Sequence, residues 1–359
     1  MSVSVAIPHS RIGWVDAGRG LAILLVVLYH SARWGEVAGM DTSGWQVAND
    51  ILATLRMPLF FVLAGLFAQK WQTARWASLW RAKLSLFIWV FLVWSVIDSF
   101  SIMLGFRMQD IEGNYLAQLA QVVWSPLAPR FELWFIWALS LFFVFAKLTR
   151  LIPAWVQLTL AAMISAVALS GLELGNVGWN GLLRYYFFFL LGIHGRAMIL
   201  RFAEHHRLPT ASIIIVVWAV LAIAGNLLGL MTLPGFYFVT AVLGVGAGIV
   251  FSVQLARFGR LRAIGARTLP IYLTHTSVIL VVCYLLHFLV PVLPAAILSA
   301  VAPPVIAAIA AAISFAAARW VPTVPVLRYL YEQPTVVAGR PTKAPTITGA
   351  ETPSGSTEG

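Results

Sequence analysis

Residues 14–30 read WVDAGRGLAILLVVLYH, an apolar run from Leu21 to Tyr29 with Asp16 and Arg19 before it and His30 closing it. As an α-helix this stretch reaches deep into a bilayer, and its ionisable residues fall on one side. The 11-residue step from Arg19 to His30 returns to within about 20° of the same direction and climbs about 16 Å. Asp16, three residues before Arg19, is placed to pair with that guanidinium and lies within about 40° of His30 in projection. Ionisable groups at membrane depth are costly and face a cavity or a bundle interior, so this seam marks a candidate site. The plainer alternative is a structural ion pair plus a histidine satisfied by a neighbouring helix.

The rest of the chain agrees with a membrane solvent. Of 359 residues, 60% are hydrophobic and 10% charged, against about 25% charged in soluble domains. Mean hydropathy is +0.88. The first run lacks an Ala-x-Ala-like exit and reads as a span, not as a cleaved leader. With roughly 20 apolar residues needed per crossing, spans are expected near 17–34, 48–69, 84–104, 132–148, 153–171, 181–199, 210–229, 234–252, 268–288 and 296–318. The expected fold is all-α, a polytopic transmembrane helix bundle of about ten spans.

Net charge is +11, which a membrane protein explains without nucleic acid, because cytoplasmic loops carry the excess Lys and Arg. Alternate loops do so here: Lys70, Arg75, Arg81 and Lys83, then Lys147 and Arg150, then Arg196, Arg201 and Arg207, then Arg257, Arg260, Arg262 and Arg267. Both termini are therefore expected in the cytoplasm. The single cysteine, Cys283, excludes an internal disulfide, and His194, His205 and His206 lack an acidic cluster, so no metal is expected. A membrane-embedded unit over 1–334 and a disordered tail over 335–359 complete the organisation.

Further polar residues join the seam. Arg56 in LRMPLFFVLAGLF is expected to approach His30 in the outer half of the membrane, with Pro58 breaking the helix locally. Gly65 suits a close helix crossing. Glu132 opens the fourth span, either as a helix-start carboxylate or as the partner of Arg56 or His30. Asp98 is expected to pair with a base. Arg81 and Lys83, topogenic charges first, also offer a place for phosphates, which the loop around Arg257–Arg267 could complete. His275 is placed seven residues into the ninth span, in the inner half and out of reach of His30. The 105–131 stretch is either a cover over an outward-facing site or a plain connector.

This N-terminal region resembles the acyltransferase 3 family of membrane acyltransferases. Asp16, Arg19 and Gly20 match its Asp-x-x-Arg-Gly, and Arg19 with His30 its Arg-x10-His. Arg56-Met57-Pro58 fits the start of the second span loosely, and Arg81-Ala82-Lys83 departs from the usual Arg-x-Arg. Leu133-Trp134-Phe135, the YFFFLLG run ending at Gly192, and Ile271-Tyr272-Leu273 leading to His275 extend the likeness over about 12–320.

The resemblance implies transfer of an acetyl or other short acyl group from acyl-coenzyme A to a hydroxyl of a sugar, a polysaccharide or a lipid-linked glycan. It also implies residence in the bacterial inner membrane, among its lipids. His30 would be general base, with Arg19, Asp16, Arg56 and Glu132 in the catalytic set. Arg81 and Lys83 would engage the donor, which enters as substrate and not as a tightly bound cofactor. Oligomeric state is not read from the chain. Two other classes use the same charges: a transporter or flippase for an anionic or glycosylated solute, and a noncatalytic scaffold for envelope assembly.

Overall fold

The computed structural model describes residues 12–338 except 206 and 293, and among these residues the chain is helical, without strands. The principal helices are α1 (Gly13–Val37), α2 (Ser43–Gly65), α3 (Ser85–Met108), α4 (Tyr115–Trp124), α5 (Trp134–Leu148), α6 (Ala154–Leu169), α7 (Val177–His194), α8 (Arg196–His205), α9 (Leu208–Leu227), α10 (Phe236–Leu255), α11 (Gly259–Gly265), α12 (Thr268–His287) and α13 (Ala295–Trp320). Helices suit a lipid solvent because each satisfies its own backbone donors and acceptors. The protein is a polytopic transmembrane helix bundle.

Eight helical stretches among the described residues are long and apolar enough to cross a bilayer: 13–37, 43–65, 76–108, 131–148, 208–227, 236–255, 268–287 and 298–323. The other two expected spans are different in kind. α7 is apolar and long enough only when taken together with α8, and the pair bends by 75°. α6 has 16 residues, short of the roughly 20 that cover the hydrocarbon core. The even count of ten therefore rests on one short helix and one bent pair.

We call the face where α1 begins the near face and the face where it ends the far face. α1 rises, α2 descends and α3 rises again. The last described residues return to the near face, where Trp80 Nε1 donates to the Val337 carbonyl at 3.2 Å. The expected tail begins with one helical turn, Thr335–Ala338; residues 339–359, like His206, lie outside the described residues.

Aromatic rings fill the centre. Phe61, Phe142, Phe188 and Phe189 are fully buried, with the Phe61 and Phe142 rings 5.1 Å apart and those of Phe142 and Phe189 5.6 Å apart. The outward faces are apolar too: Ile213 and Val216 on α9 are 62% and 58% exposed, as lipid contact demands. α2 and α7 cross at Gly65 and Gly192. A Cβ on Gly65 would stand 2.2 Å from the Phe189 carbonyl oxygen, and one on Gly192 2.3 Å from that of Val62. Only hydrogen at both positions lets the backbones approach this closely.

One expectation about the helices is corrected. α2 runs unbroken through Pro58. The carbonyl that loses its intrahelical donor, that of Thr54, is covered by α10, where a Cβ on Gly244 would lie 2.5 Å from it. The break is unnecessary because the neighbouring helix shields the freed group. The 105–131 stretch, for which cover and connector both stay open, is partly helical. It holds α4, started by the Asn114 side chain accepting from Ala117 N at 3.0 Å, with Leu116 and Val123 78% and 76% exposed.

Candidate active site

Two cavities lie one above the other within the bundle. The far cavity, about 460 Å³, is lined by His30, Arg56 and Glu132 together with Tyr29, Trp134 and Tyr185. The near cavity, about 260 Å³, is lined by Arg19 and Lys83 among Phe67, Leu86 and Leu139. Arg19 and His30 share a side of α1, separated by a rise of about 16 Å, and so address different cavities.

His30 Nδ1 lies 3.2 Å from Glu132 Oε1, with side-chain exposures of 17% and 9%. With Glu132 ionised its carboxylate accepts, which assigns the proton to Nδ1 and leaves Nε2 its lone pair. Glu132 is delivered by unusual backbone. Phe131 has φ 51°, a left-handed conformation that costs a non-glycine residue about 1–3 kcal/mol. The short 3-10 turn Phe131–Leu133 follows it. The Arg130 guanidinium stacks 4.6 Å from the centre of the Phe131 ring and donates to Gln118 Oε1 at 2.9 Å. From the opposite side, the Tyr272 hydroxyl donates to the Glu132 carbonyl. The strained turn is thus held from both flanks.

Arg56 is 6% exposed, and its guanidinium lies 4.5 Å from the centre of the Tyr29 ring. Its Nη1 is buried without a hydrogen-bond partner. A buried donor of this kind is costly unless a ligand completes it. Of the two partners the sequence offered Glu132, the close contact is with His30 and not with Arg56.

His275 contradicts its expected isolation: its ring centre is 5.3 Å from that of His30. Counting from the apolar boundary put it too close to the near face. α11 docks beside the first turns of α1, where a Cβ on Gly265 would meet the Asp16 carbonyl oxygen at 1.7 Å and one on Gly20 the Leu261 carbonyl at 2.4 Å. α12 consequently starts already inside the bundle and carries His275 up to His30. Within α12, His275 Nδ1 contacts the Tyr272 carbonyl at 2.7 Å and Nε2 contacts Thr276 Oγ1 at 3.3 Å. A carbonyl only accepts, so Nδ1–H donates and Thr276 donates to Nε2.

The Asp16–Arg19 pair does not form. Among the described residues the close acid–base contacts join His30–Glu132, Arg33–Glu36 and Arg184–Glu173. Arg19 reaches sideways instead, its Nη2 donating to the Leu63 carbonyl at 3.3 Å and its guanidinium 5.2 Å from the Phe67 ring centre. Leu63 belongs to the last turn of α2, where carbonyls lack intrahelical donors and attract a cation. Asp98 likewise takes no base among the described residues; Ser277 Oγ donates to it at 3.3 Å.

Lys83 and Arg81 sit on a π turn, Trp80–Leu84, a feature frequent at functional sites. Lys83 lines the near cavity, whereas Arg81 turns back, its Nε donating to the Ala77 carbonyl at 3.1 Å. The later basic loop lends that cavity none of its arginines; Thr268 and Leu269, at the start of α12, line it instead, and Arg267 lies over Phe315 at 5.9 Å. Sequence reasoning missed Tyr272 as the anchor of Glu132, along with Thr276, Tyr29 and Tyr185. Only Tyr29, beside His30, carried a local signal.

A family model described as an acyltransferase domain, that of the acyltransferase 3 family, matches residues 12–319, and the chain belongs to this family. No curated protein and no solved structure matches the chain.

Proposed function

We propose that this acyltransferase moves an acetyl or other short acyl group from acyl-coenzyme A to a hydroxyl of an envelope or secreted glycan, across the cytoplasmic membrane of a bacterium. The observation that carries the reading is the His30–Glu132 contact on the wall of a cavity into which a buried Arg56 also faces. A neutral imidazole with one nitrogen held by a carboxylate is arranged to accept a proton at the other.

In this mechanism the donor's phosphates rest at the near face against Arg19 and Lys83, with Arg81 at the rim. Its pantetheine arm rises toward the far cavity, where the glycan hydroxyl lies beside His30. His30 Nε2 takes the hydroxyl proton as the oxygen attacks the thioester carbon. The new C–O bond converts the carbonyl oxygen to an oxyanion, which the unpartnered Arg56 Nη1 stabilises; donors of this kind act strongly where water is excluded. Collapse breaks the C–S bond, and the leaving thiolate takes the proton back from His30. The products are the O-acyl glycan and free coenzyme A. The basic near-face loops support placing that face, and both chain ends, in the cytoplasm.

The test incubates purified protein with labelled acetyl-coenzyme A and envelope glycans and detects the ester by mass spectrometry. His30→Ala is expected to abolish ester formation while remaining folded and inserted. Turnover of H30A at the parent rate removes His30 as base. In sealed vesicles, solute movement without ester formation would instead favour a transporter.

A further inference from the structure

Phe60, Phe135 and Tyr272 line both the far and the near cavity. Their rings close the space between: Phe60 and Phe135 meet edge to face at 4.8 Å, and Phe135 meets Tyr272 edge to face at 5.4 Å. None is more than 9% exposed. Lys83 and Arg19 stand below this layer, and His30 and Arg56 stand above it. A thioester bound by its phosphates below therefore has to pass these three rings to reach the base above.

We propose that Phe60, Phe135 and Tyr272 form the aperture through which the acyl thioester reaches His30, and that their rings limit the length of acyl group admitted. The inference rests on the function proposed above and adds the residues that select the acyl chain. The three rings are not equally held. Tyr272 is fixed at its hydroxyl by the Glu132 carbonyl. Phe135 is wedged against Phe61 at 4.7 Å and Trp134 at 6.3 Å as well as its two partners in the layer. Among the ring contacts of the described residues, Phe60 touches Phe135 alone. Phe60 is the movable leaf, and Phe135 and Tyr272 are the frame.

An aperture of apolar rings has two consequences. Dewetting closes it to water and ions when no donor occupies it, which protects the thioester from hydrolysis. It also disfavours acyl groups that carry a charge, since an unpaired carboxylate is expensive among apolar rings. Acetyl is therefore preferred over succinyl as well as over longer chains. Because Tyr272 grips the same turn that presents Glu132 to His30, the frame of the aperture and the catalytic pair share one anchor.

The experiment compares acetyl-, butyryl- and hexanoyl-coenzyme A as donors for the parent, Phe60→Ala and the milder Phe60→Leu. Misfitted methylenes in an apolar site change rates about 10- to 200-fold, so the hexanoyl-to-acetyl ratio in F60A is expected to rise at least about tenfold. Phe60→Trp is expected to lower it.

A second readout needs no turnover. Cysteine placed at Met57 in the far cavity is expected to react with a membrane-impermeant thiol reagent from the far side only, and from both sides when combined with F60A or F60L. The native Cys283 is fully buried and gives the background. Unchanged chain-length ratios in active F60A or F60L overturn the aperture, and so does one-sided labelling in both. A parent that transfers no acyl group from any acyl-coenzyme A defeats the underlying function instead.

Discussion

Replacing Glu132 with Gln keeps the shape of the side chain and removes its charge. Its Oε1 lies 3.2 Å from His30 Nδ1, so the substitution acts on the contact between carboxylate and imidazole and on the tautomer it favours. Hydrogen bonds to charged groups are worth about 1.5–3 kcal/mol. At about 1.36 kcal/mol per decade of rate, that bond corresponds to a fall in kcat of about 10- to 150-fold. Because Glu132 acts through His30, E132Q should cost nothing further in an H30A background; residues acting as a unit are non-additive in this way. The assay is thiol release from acetyl-coenzyme A by purified protein in nanodiscs, with and without envelope glycans, for the two single variants and the double variant. KM for the donor should stay near the parent value, since Glu132 lines the far cavity and the proposed mechanism puts the donor's phosphates in the near one. An E132Q enzyme at the parent rate, or one whose loss multiplies with that of H30A, would refute the pairing as the source of activation.

Three further outcomes follow from the same geometry. Lys83→Glu should raise KM for acetyl-coenzyme A with little change in kcat, and should leave acetyl-pantetheine, which lacks the nucleotide phosphates, unaffected; steady-state kinetics with both donors reads this directly. Arg56→Lys, which keeps charge but loses the planar fork, should lower kcat by about 10²–10³-fold if Arg56 holds the oxyanion, measured under saturating donor. Gly65→Val should destabilise the bundle by at least about 1–3 kcal/mol, the usual cost of overpacking, because its Cβ meets the rigid Phe189 carbonyl; thermal unfolding in detergent, followed by intrinsic Trp fluorescence, reports it.

Composition and the span pattern determined the solvent and the architecture, because repeated runs of about 20 apolar residues have the length of membrane-spanning helices, which satisfy their own backbone groups. The 11-residue step along one helix likewise put Arg19 and His30 on a common side, since that relation is local and set by helix geometry alone. Relations between helices were decided only by the tertiary structure. Glu132 could answer to Arg56 or to His30 until the turn at Phe131 and the Tyr272 hydroxyl aimed it. His275 counted as shallow until the docking of α11 on Gly20 lifted the start of α12. Asp16 and Arg19 have pairing distance in sequence, yet the end of α2 offered Arg19 a carbonyl and a ring that no spacing rule contains. Depth, partner choice and the aromatic layer between the cavities all depend on where one helix stands against another, and that is set by backbone approach at glycines and by ring packing across the bundle.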